Sequence, residues 1–208
     1  MTNINIEFEA DGADGGVVSD WRDMPDVLLP VQTHSCNVAV IGPEGAIPAL
    51  DDTDAVISLR SGLRIGVRTA DCVPLLVYCP DISAVAAIHA GWRGSVGGIV
   101  NATLQRLQEL GADLSKAEAA FGPSICGECY EVSPELVDRF ADAGFADCLV
   151  KYRHIELESV NRKQLLAVGV SPEKIRPKAC CTFETALLPS WRRLQTDRRL
   201  LTWIELTQ

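Results

Sequence analysis

The chain has 208 residues and a formal net charge of −9, because 28 acidic side chains outnumber 19 basic ones. Hydrophobic residues make up 47% and charged residues 23%, which is typical of a folded globular protein and not of a disordered chain. The acidic balance argues against a general binder of nucleic-acid phosphates, which needs a basic face, and the length predicts one domain over residues 1–208.

The N-terminal residues alternate between polar and apolar side chains and include acidic ones. A signal peptide needs a basic start followed by an unbroken apolar stretch, and a spanning helix needs about 18 apolar residues. The sequence contains neither pattern. We therefore expect a soluble, cytoplasmic protein that binds neither membrane nor nucleic acid, with most of its eight cysteines reduced.

The first half of the chain is predicted to form strands. Ile4, Ile6 and Phe8 alternate with polar residues, as in a half-buried edge strand. Short runs rich in β-branched residues, separated by Gly, Pro or Asp, predict five more strands at 38–41, 55–59, 65–67, 75–78 and 84–88.

The second half mixes helices and strands. From Ser95 to Leu110 the apolar residues recur at steps of three and four, which predicts one helix capped by Gly111. The remaining predictions are a strand at 117–121, helices at 133–140 and 155–168, a helical turn at 171–173 and a strand at 204–206. Strands first and helices later favour an α/β or α+β fold with mixed β-sheets flanked by helices.

Three side chains that can bind a metal lie at predicted strand ends. His34 precedes the strand at 38–41, Cys72 follows the strand at 65–67, and His89 ends the strand at 84–88. Two imidazoles and one thiolate suit zinc, with a fourth position left for water or substrate. Because long stretches of sequence separate these residues, two buried histidines and a core thiol remain the alternative.

Two charged residues near these ligands are candidates for chemistry. Arg93 lies one turn before the predicted helix, between Gly91 and Gly94, which let the backbone approach a ligand closely. It suits an oxyanion or phosphate, although a surface arginine in a glycine turn is the alternative. Asp71, beside Cys72, is expected to orient a ligand histidine or to carry a proton, unless it only caps the turn.

Two further motifs suggest the zinc nucleobase deaminases. Cys126 and Cys129 form a C-x-x-C, and His154 with Glu156 forms an H-x-E. The order of the two motifs is reversed relative to those enzymes, so we interpret the combination as coincidental. A redox function of the C-x-x-C lacks the βαβ start that would support it.

Several segments resemble the signature blocks of the YfiH family, also called the laccase-domain or multicopper polyphenol oxidase family. The resemblance extends over residues 28 to 206 and rests on these blocks: Gln32-Thr33-His34, Ala70-Asp71-Cys72-Val73-Pro74, His89-Ala90-Gly91-Trp92-Arg93-Gly94, Gly122-Pro123-Ser124-Ile125, Tyr130-Glu131-Val132, Asn161-Arg162-Lys163-Gln164-Leu165 and Ser190-Trp191-Arg192-Arg193.

The resemblance implies a layered fold with mixed sheets and a purine nucleoside phosphorylase acting on adenosine, inosine and methylthioadenosine, with adenosine deaminase activity also known in the family. It implies zinc bound by His34, Cys72 and His89. Cys72, His89, Asp71 and Arg93 are then the expected catalytic residues.

The substrates implied by the resemblance are a purine nucleoside and phosphate. Arg93 is the leading candidate for binding phosphate, with Gln32 and Arg68 as further substrate-binding candidates. Arg162 and Arg192 are weaker candidates for the phosphate site.

Other functions stay open at this point. Cys72 as nucleophile with His89 as base would make a Cys-His amidase or deamidase when no zinc is bound. A catalytically degenerate module that keeps zinc for structure is a further alternative. A multicopper oxidase needs more imidazoles than three histidines supply, which leaves at most one Cu²⁺ in the His₂Cys site.

The sequence also departs from the family pattern. The family usually has a longer N-terminal region with a Thr-Arg-x-Gly-Gly-Val-Ser segment, of which residues 15–19 are at most a remnant. We therefore expect altered substrate choice or weaker activity. Cys126 and Asp197 also stand at positions where the family often has glycine.

Overall fold

The computed structural model describes residues 6–207. The strands in this part of the chain are β1 (Ile6–Ala10), β2 (Ala13–Val18), β3 (Val38–Ile41), β4 (Ala55–Ser58), β5 (Ile65–Thr69), β6 (Val73–Cys79), β7 (Ala84–Ala90), β8 (Glu118–Phe121), β9 (Leu149–Lys151), β10 (His154–Ile155), β11 (Ile175–Arg176) and β12 (Leu200–Leu206). The α-helices in the same part are α1 (Trp92–Gly97), α2 (Ile99–Glu109), α3 (Pro134–Asp142), α4 (Leu157–Ala167) and α5 (Trp191–Leu194).

The strands form two main sheets. One sheet has six strands in the order β11-β8-β6-β7-β4-β3, and the other has four strands in the order β1-β2-β12-β5. In the six-stranded sheet β3 pairs with β4 and β11 with β8 in parallel, whereas the remaining neighbours are antiparallel. The predicted mixed sheets are confirmed.

The six-stranded sheet is the middle of three layers. Along β6, Leu75 and Val77 face a core shared with α2, α3 and α4, whereas Leu76 and Tyr78 face a second core shared with the four-stranded sheet. Both faces of such a strand are buried, so neither face needs polar side chains, which explains the continuous apolar runs of β6 and β7. The expected layered fold with flanking helices is confirmed.

Each predicted strand corresponds to an observed one, whereas β2 and the short strands β9, β10 and β11 were not predicted. Ile6 and Phe8 lie in β1, which is the edge strand expected from their alternation, and Ile4 lies outside the described residues. β2 was not predicted, because Gly15 and Gly16 interrupt its apolar pattern. Gly15 is needed there, since a Cβ at this position would lie 2.6 Å from the Trp203 carbonyl oxygen of β12.

The helix predicted from Ser95 to Leu110 is two helices. Gly98, with φ of 86°, ends α1 and begins α2, and a left-handed residue cannot continue an α-helix. Gly111 adopts the positive φ expected of a residue that ends a helix, at 103°. Arg93 is the second residue of α1 and not a residue ahead of it. Within residues 6–207, no helix combines the length and apolar character that crossing a bilayer requires.

The contact between β5 and β12 generates a stability prediction at Gly66. An added Cβ would lie 2.8 Å from Leu201 Cδ1 and 2.9 Å from the Thr202 carbonyl oxygen, closer than van der Waals contact allows. We expect Gly66→Ala to lower the free energy of unfolding by about 1–3 kcal/mol through overpacking, measured by urea titration. The matched control is Gly42→Ala, whose nearest neighbour is a carbonyl oxygen at 3.4 Å. Equal stability of the two variants would contradict the close packing.

Candidate functional site

Two of the expected ligands are brought together by the β6–β7 pairing. Cys72 immediately precedes β6, and His89 is near the end of β7, where it pairs with Pro74 in the antiparallel register. The start of one strand and the end of its antiparallel neighbour lie at the same edge of a sheet. Cys72 and His89 are therefore adjacent although they belong to different strands.

His34 reaches the same edge from the loop before β3, and a buried carboxylate holds that loop. The backbone N–H groups of Thr33, His34 and Ser35 donate to the carboxylate of Asp54 at 3.1, 3.0 and 2.7 Å. His34 has a left-handed φ of 65°, which helps three successive N–H groups converge on one acceptor. Asp54 is fully buried and immediately precedes β4.

Asp54 also orients His89. Its Oδ1 lies 2.7 Å from His89 Nδ1, and His89 N donates to the Asp54 carbonyl oxygen at 2.8 Å. The carboxylate thus occupies one ring nitrogen and leaves Nε2 free to bind a metal, which is the usual arrangement for ligand histidines. Asp71 was one candidate for orienting a ligand histidine, but the carboxylate that contacts His89 is that of Asp54.

The three candidate ligands converge on one point. The donor atoms of His34, Cys72 and His89 all lie within 4.8 Å of one another, with Cys72 Sγ 3.9 Å from His34 Nε2. Gly91 makes room for them, because a Cβ there would lie 2.9 Å from His34 Cδ2 and 3.0 Å from Cys72 Sγ. The glycine expected to admit a ligand therefore admits the metal-binding side chains themselves.

The electrostatics of the three side chains favour a thiolate. Burial opposes ionisation of Cys72, but the nearby imidazoles of His89 and His34 lower its pKa to about 6. Burial likewise opposes protonation of His89, but the Cys72 thiolate and the Asp54 carboxylate raise its pKa to about 9. Hydrogen bonds from His89 and Ser35 outweigh burial and hold the pKa of Asp54 well below its usual range.

This donor set fits one metal ion. A thiolate and two imidazoles, one of them backed by a carboxylate, are ligands that zinc prefers, and they can also bind one Cu²⁺. They do not fit a multicopper centre, because the chain has three histidines and the third, His154, hydrogen-bonds the Tyr152 carbonyl oxygen through Nδ1 at 2.8 Å. Among the described residues, the metal-binding group that contains histidine is His34, Cys72 and His89.

The ligands open into a cavity of about 690 Å³, a volume suited to a small-molecule ligand. Its walls combine aromatic, cationic and acidic side chains. The aromatic and charged residues of the lining include Trp21, Trp92, Tyr130, Trp191, Arg68, Arg192, Arg199, Asp71 and Asp197.

Each arginine of the cavity is positioned by an aromatic ring. The guanidinium carbon of Arg68 lies 5.2 Å from the Trp21 ring centre, and that of Arg192 lies 5.1 Å from the Tyr130 ring centre. Arg199 lies over Trp191 in the same way, at 5.6 Å. Within residues 6–207, none of the three arginines forms an ion pair with a carboxylate. The cavity therefore offers positive charge to an anionic ligand.

The structure places the predicted substrate residues in different locations. Gln32 and Arg68 line the cavity and bond reciprocally, since the Gln32 amide donates to the Arg68 carbonyl oxygen at 2.9 Å and accepts from Arg68 N at 2.8 Å. Arg192 also lines the cavity.

Arg162 pairs with Glu158 on α4 at 3.1 Å and is absent from the cavity lining. Arg93 is exposed, lies over the Trp92 ring at 4.5 Å and is also absent from the lining.

Asp71 lines the cavity but contacts neither ligand histidine. Its carboxylate accepts hydrogen bonds from Thr182 Oγ1 at 2.6 Å, Ser190 Oγ at 3.1 Å and Arg192 N at 2.7 Å. It thereby ties the C-terminal segment to the residue next to Cys72. Asp71 is an anchor of the cavity wall, which differs from the expected orientation of a histidine.

The deaminase-like motifs do not come together as a site. Glu156 accepts a hydrogen bond from Gly127 N at 2.9 Å and pairs with Lys178, and neither Glu156 nor His154 joins a metal-binding group with Cys126 and Cys129. The interpretation of the combination as coincidental agrees with this arrangement.

Asp54 and Arg199 belong to the candidate site but were not predicted from the sequence. The sequence does hold a local signal for Asp54. Burying a carboxylate beside a buried strand costs free energy unless hydrogen bonds satisfy it, so an acidic residue at this position indicates that it has partners. Arg199 carries no local signal, because its position depends on the path of the C-terminal segment.

Known proteins are similar to this chain in sequence and fold. Residues 18–207 match the family described as multi-copper polyphenol oxidoreductase laccase. A protein named adenosine deaminase RL5, from an unknown prokaryotic organism, is 39% identical over 187 residues, which are 83% of this chain and 71% of that protein. A purine nucleoside phosphorylase of Bacteroides thetaiotaomicron is 37% identical over 173 residues, 76% of this chain and 64% of that protein. The crystal structure of Bacillus licheniformis hypothetical protein YfiH shares the fold, with a TM-score of 0.82, 22% identity and coverage of 93% and 92% of the two chains.

The hydrogen bond between Asp54 and His89 predicts an effect on metal affinity. We expect Asp54→Asn to raise the dissociation constant for Zn²⁺ by about 10–100-fold, because the histidine loses its charged acceptor and the loop of His34 loses its anchor. Competition against a chromogenic chelator measures the change. Asp52→Asn is the matched control, since Asp52 bonds Thr33 and Asn37 but no metal-binding side chain. Equal Zn²⁺ affinities of the two variants would show that Asp54 does not support the metal ligands.

The lowered pKa of Cys72 predicts its reactivity with iodoacetamide. In chelator-treated protein, the alkylation rate at Cys72 should rise through about pH 6, because the thiolate is the reacting form and its pKa lies near 6. In urea-unfolded protein the rise should shift to about pH 8.5. Added Zn²⁺ should suppress the reaction. Labelling that proceeds equally fast with Zn²⁺ bound would show that Cys72 is not a ligand.

Proposed function

The chain belongs to the YfiH family of laccase-like proteins, and on that premise we propose that it is a zinc-dependent purine nucleoside phosphorylase. The substrates are adenosine, inosine or methylthioadenosine together with phosphate, and the products are a free base and the 1-phosphate of the sugar, which is ribose 1-phosphate for adenosine and inosine. One observation carries the proposal: the His₂Cys group and three arginines without carboxylate partners open into the same cavity.

The arginines form the phosphate site. Inorganic phosphate is a dianion near neutral pH, and guanidinium groups bind such oxygens by paired, charge-assisted hydrogen bonds. Arg68, Arg192 and Arg199 are held over aromatic rings, so less conformational freedom is lost when an anion binds. Arg93 is absent from the cavity lining but lies close enough to Tyr130 for its charge to act on that hydroxyl, so it is the alternative candidate for phosphate.

The aromatic residues form the purine site. A purine is a flat, weakly polar ring, and Trp92, Trp191 and Tyr130 give the cavity faces on which such a ring can stack. Burial and the nearby Cys72 charge raise the pKa of Tyr130 to about 12, so its hydroxyl keeps its proton. The Tyr130 hydroxyl can therefore donate a hydrogen bond to the base as it departs.

Zinc bound by His34, Cys72 and His89 would supply Lewis-acid chemistry at this end of the cavity. In phosphorolysis a phosphate oxygen forms a bond to the ribose C1′ while the bond from C1′ to the purine nitrogen breaks. The electron pair of that bond passes to the purine, which takes up a proton. With adenosine bound, water attacking purine C6 would displace the amino group as ammonia and leave inosine, so the same site could also support an adenosine deaminase activity.

A second candidate function is a cysteine hydrolase, and one observation favours it. Cys72, His89 and Asp54 form the order of nucleophile, base and orienting carboxylate, with a thiolate paired to an imidazolium. Such a group would attack an amide carbonyl. Because a zinc-bound thiolate is a poor nucleophile, metal content separates the two functions.

The test of the proposed function is phosphorolysis by the zinc-loaded protein. Adenosine or inosine with phosphate should give a free base and ribose 1-phosphate. Chromatography measures the release of the base. We expect Arg68→Ala and Arg192→Ala to raise the KM for phosphate by about tenfold to a hundredfold, because each loses a charge-assisted hydrogen bond. Arg198→Ala, an exposed neighbour of Arg199 outside the cavity lining, is the control and should leave this KM nearly unchanged.

The other outcomes are equally specific. If Arg93→Ala strongly raises the KM for phosphate while Arg68→Ala and Arg192→Ala do not, phosphate binds at Arg93 on α1 and not at the other two arginines. Amide hydrolysis that survives chelation and is lost in Cys72→Ala would establish the hydrolase. Bound zinc without turnover of any nucleoside would identify a module that keeps the metal for structure.

A further inference from the structure

A second group of metal-binding side chains lies outside the cavity ligands. It consists of Cys126, Cys129, Cys181 and Glu184, whose donor atoms all lie within 4.8 Å of one another. We refer to these four residues as the cysteine cluster. The fold brings them from two separate segments, the loop after β8 and the turns after β11. The cluster shares no residue with His34, Cys72 and His89.

The backbone shapes the cluster as a metal-binding turn would. Cys126 caps the start of a short 3₁₀ helix, Gly127–Cys129, and Cys129 is its last residue, whose N–H donates to the Cys126 carbonyl oxygen at 3.0 Å. A C-x₂-C turn presents two thiols on one side, which is the spacing that zinc sites use most. Cys126 N also donates to Cys181 Sγ at 3.3 Å, a bond that stabilises negative charge on that sulfur.

The fourth member distinguishes a metal site from a disulfide. Cys129 Sγ lies 3.7 Å from Glu184 Oε1, so a carboxylate completes the ring of donors. A disulfide joins two sulfurs, which would leave the third thiol unpaired and would give the carboxylate no function. Three sulfurs and one carboxylate together fill the four positions of a tetrahedral zinc site.

The cluster lies where a cross-link would affect the cavity. Thr182, next to Cys181, donates from its backbone N–H to the Ser124 carbonyl oxygen at 3.1 Å and from its hydroxyl to Asp71 at 2.6 Å. On the other segment, Ile125 N donates to the Asp71 carbonyl oxygen at 3.0 Å. Both segments that carry the cluster therefore contact the residue beside Cys72.

We propose that Cys126, Cys129, Cys181 and Glu184 bind a second zinc ion, which cross-links the two segments that support the cavity wall. All four positions are filled by protein, so this zinc stabilises structure and does not contact substrate. The proposal is independent of the nucleoside chemistry, because it requires neither turnover nor the ligands of the first site.

Metal analysis of matched variants tests the second site. Each protein is produced with zinc and dialysed without chelator. Elemental mass spectrometry then gives the number of zinc ions per chain. We expect two zinc ions per chain in the unmodified protein and in Cys180→Ser, because Cys180 is the neighbour of Cys181 but lies outside both groups. Cys129→Ser and His34→Ala should each retain one zinc. A second zinc that persists in Cys129→Ser, or that is lost on dialysis as an adventitious ion, would overturn the proposal.

Differential alkylation of the unmodified protein gives an answer even where Cys129→Ser fails to fold. With zinc bound, Cys126 and Cys129 should resist iodoacetamide, and they should label after chelation. Cys180 should label at the same rate before and after chelation. Labelling of Cys126 and Cys129 that is unaffected by chelation, or a native mass lower by two hydrogens from a disulfide among the three cysteines, would also overturn the proposal.

Discussion

The buried carboxylate of Asp54 is the group on which both histidines of the metal site depend. It accepts five hydrogen bonds, from the N–H groups of residues 33–35, from the Ser35 hydroxyl and from the His89 ring. A buried carboxylate is costly unless its oxygens are satisfied, and hydrogen bonds to a charged group contribute about 1.5–3 kcal/mol each. The loop of His34 lacks regular secondary structure, so Asp54 supplies the order that a strand would otherwise give it.

The cavity and the rest of the chain differ in charge. The chain carries a net charge of −9, yet three arginines line the cavity without carboxylate partners among the described residues. An acidic exterior gives no long-range attraction for a phosphate ion, so recognition of an anion has to be local. Stacking on Trp21, Tyr130 and Trp191 fixes the guanidinium groups at the positions where such recognition can occur.

The features predicted from the sequence are those with local causes. The strands β3 to β8 were predicted because each is a short apolar run, whereas the glycines of β2 obscured a strand that exists through its pairing with β12. The ligands His34, Cys72 and His89 were found through their chemistry and the family blocks. Periodicity could not reveal the break at Gly98, because the apolar pattern continues across it.

The missed parts of the site depend on contacts between distant segments. Asp71 was expected to orient a histidine because it adjoins Cys72, but sheet pairing places Asp54 against His89 instead. Arg93 was favoured for phosphate because of its neighbours in sequence, whereas the cavity draws its arginines from β5 and from the C-terminal segment. Neither arrangement can be read from adjacent residues.

The bonds that join Asp71 to Thr182, Ser190 and Arg192 also set an order of assembly. A ribosome synthesises a chain from its N-terminus, and contacts between distant residues form only after both partners have emerged. All three metal ligands, His34, Cys72 and His89, precede the C-terminal segment in the chain. A truncated chain that ends before Thr182 therefore still carries every metal ligand but lacks the residues that close the cavity around a substrate.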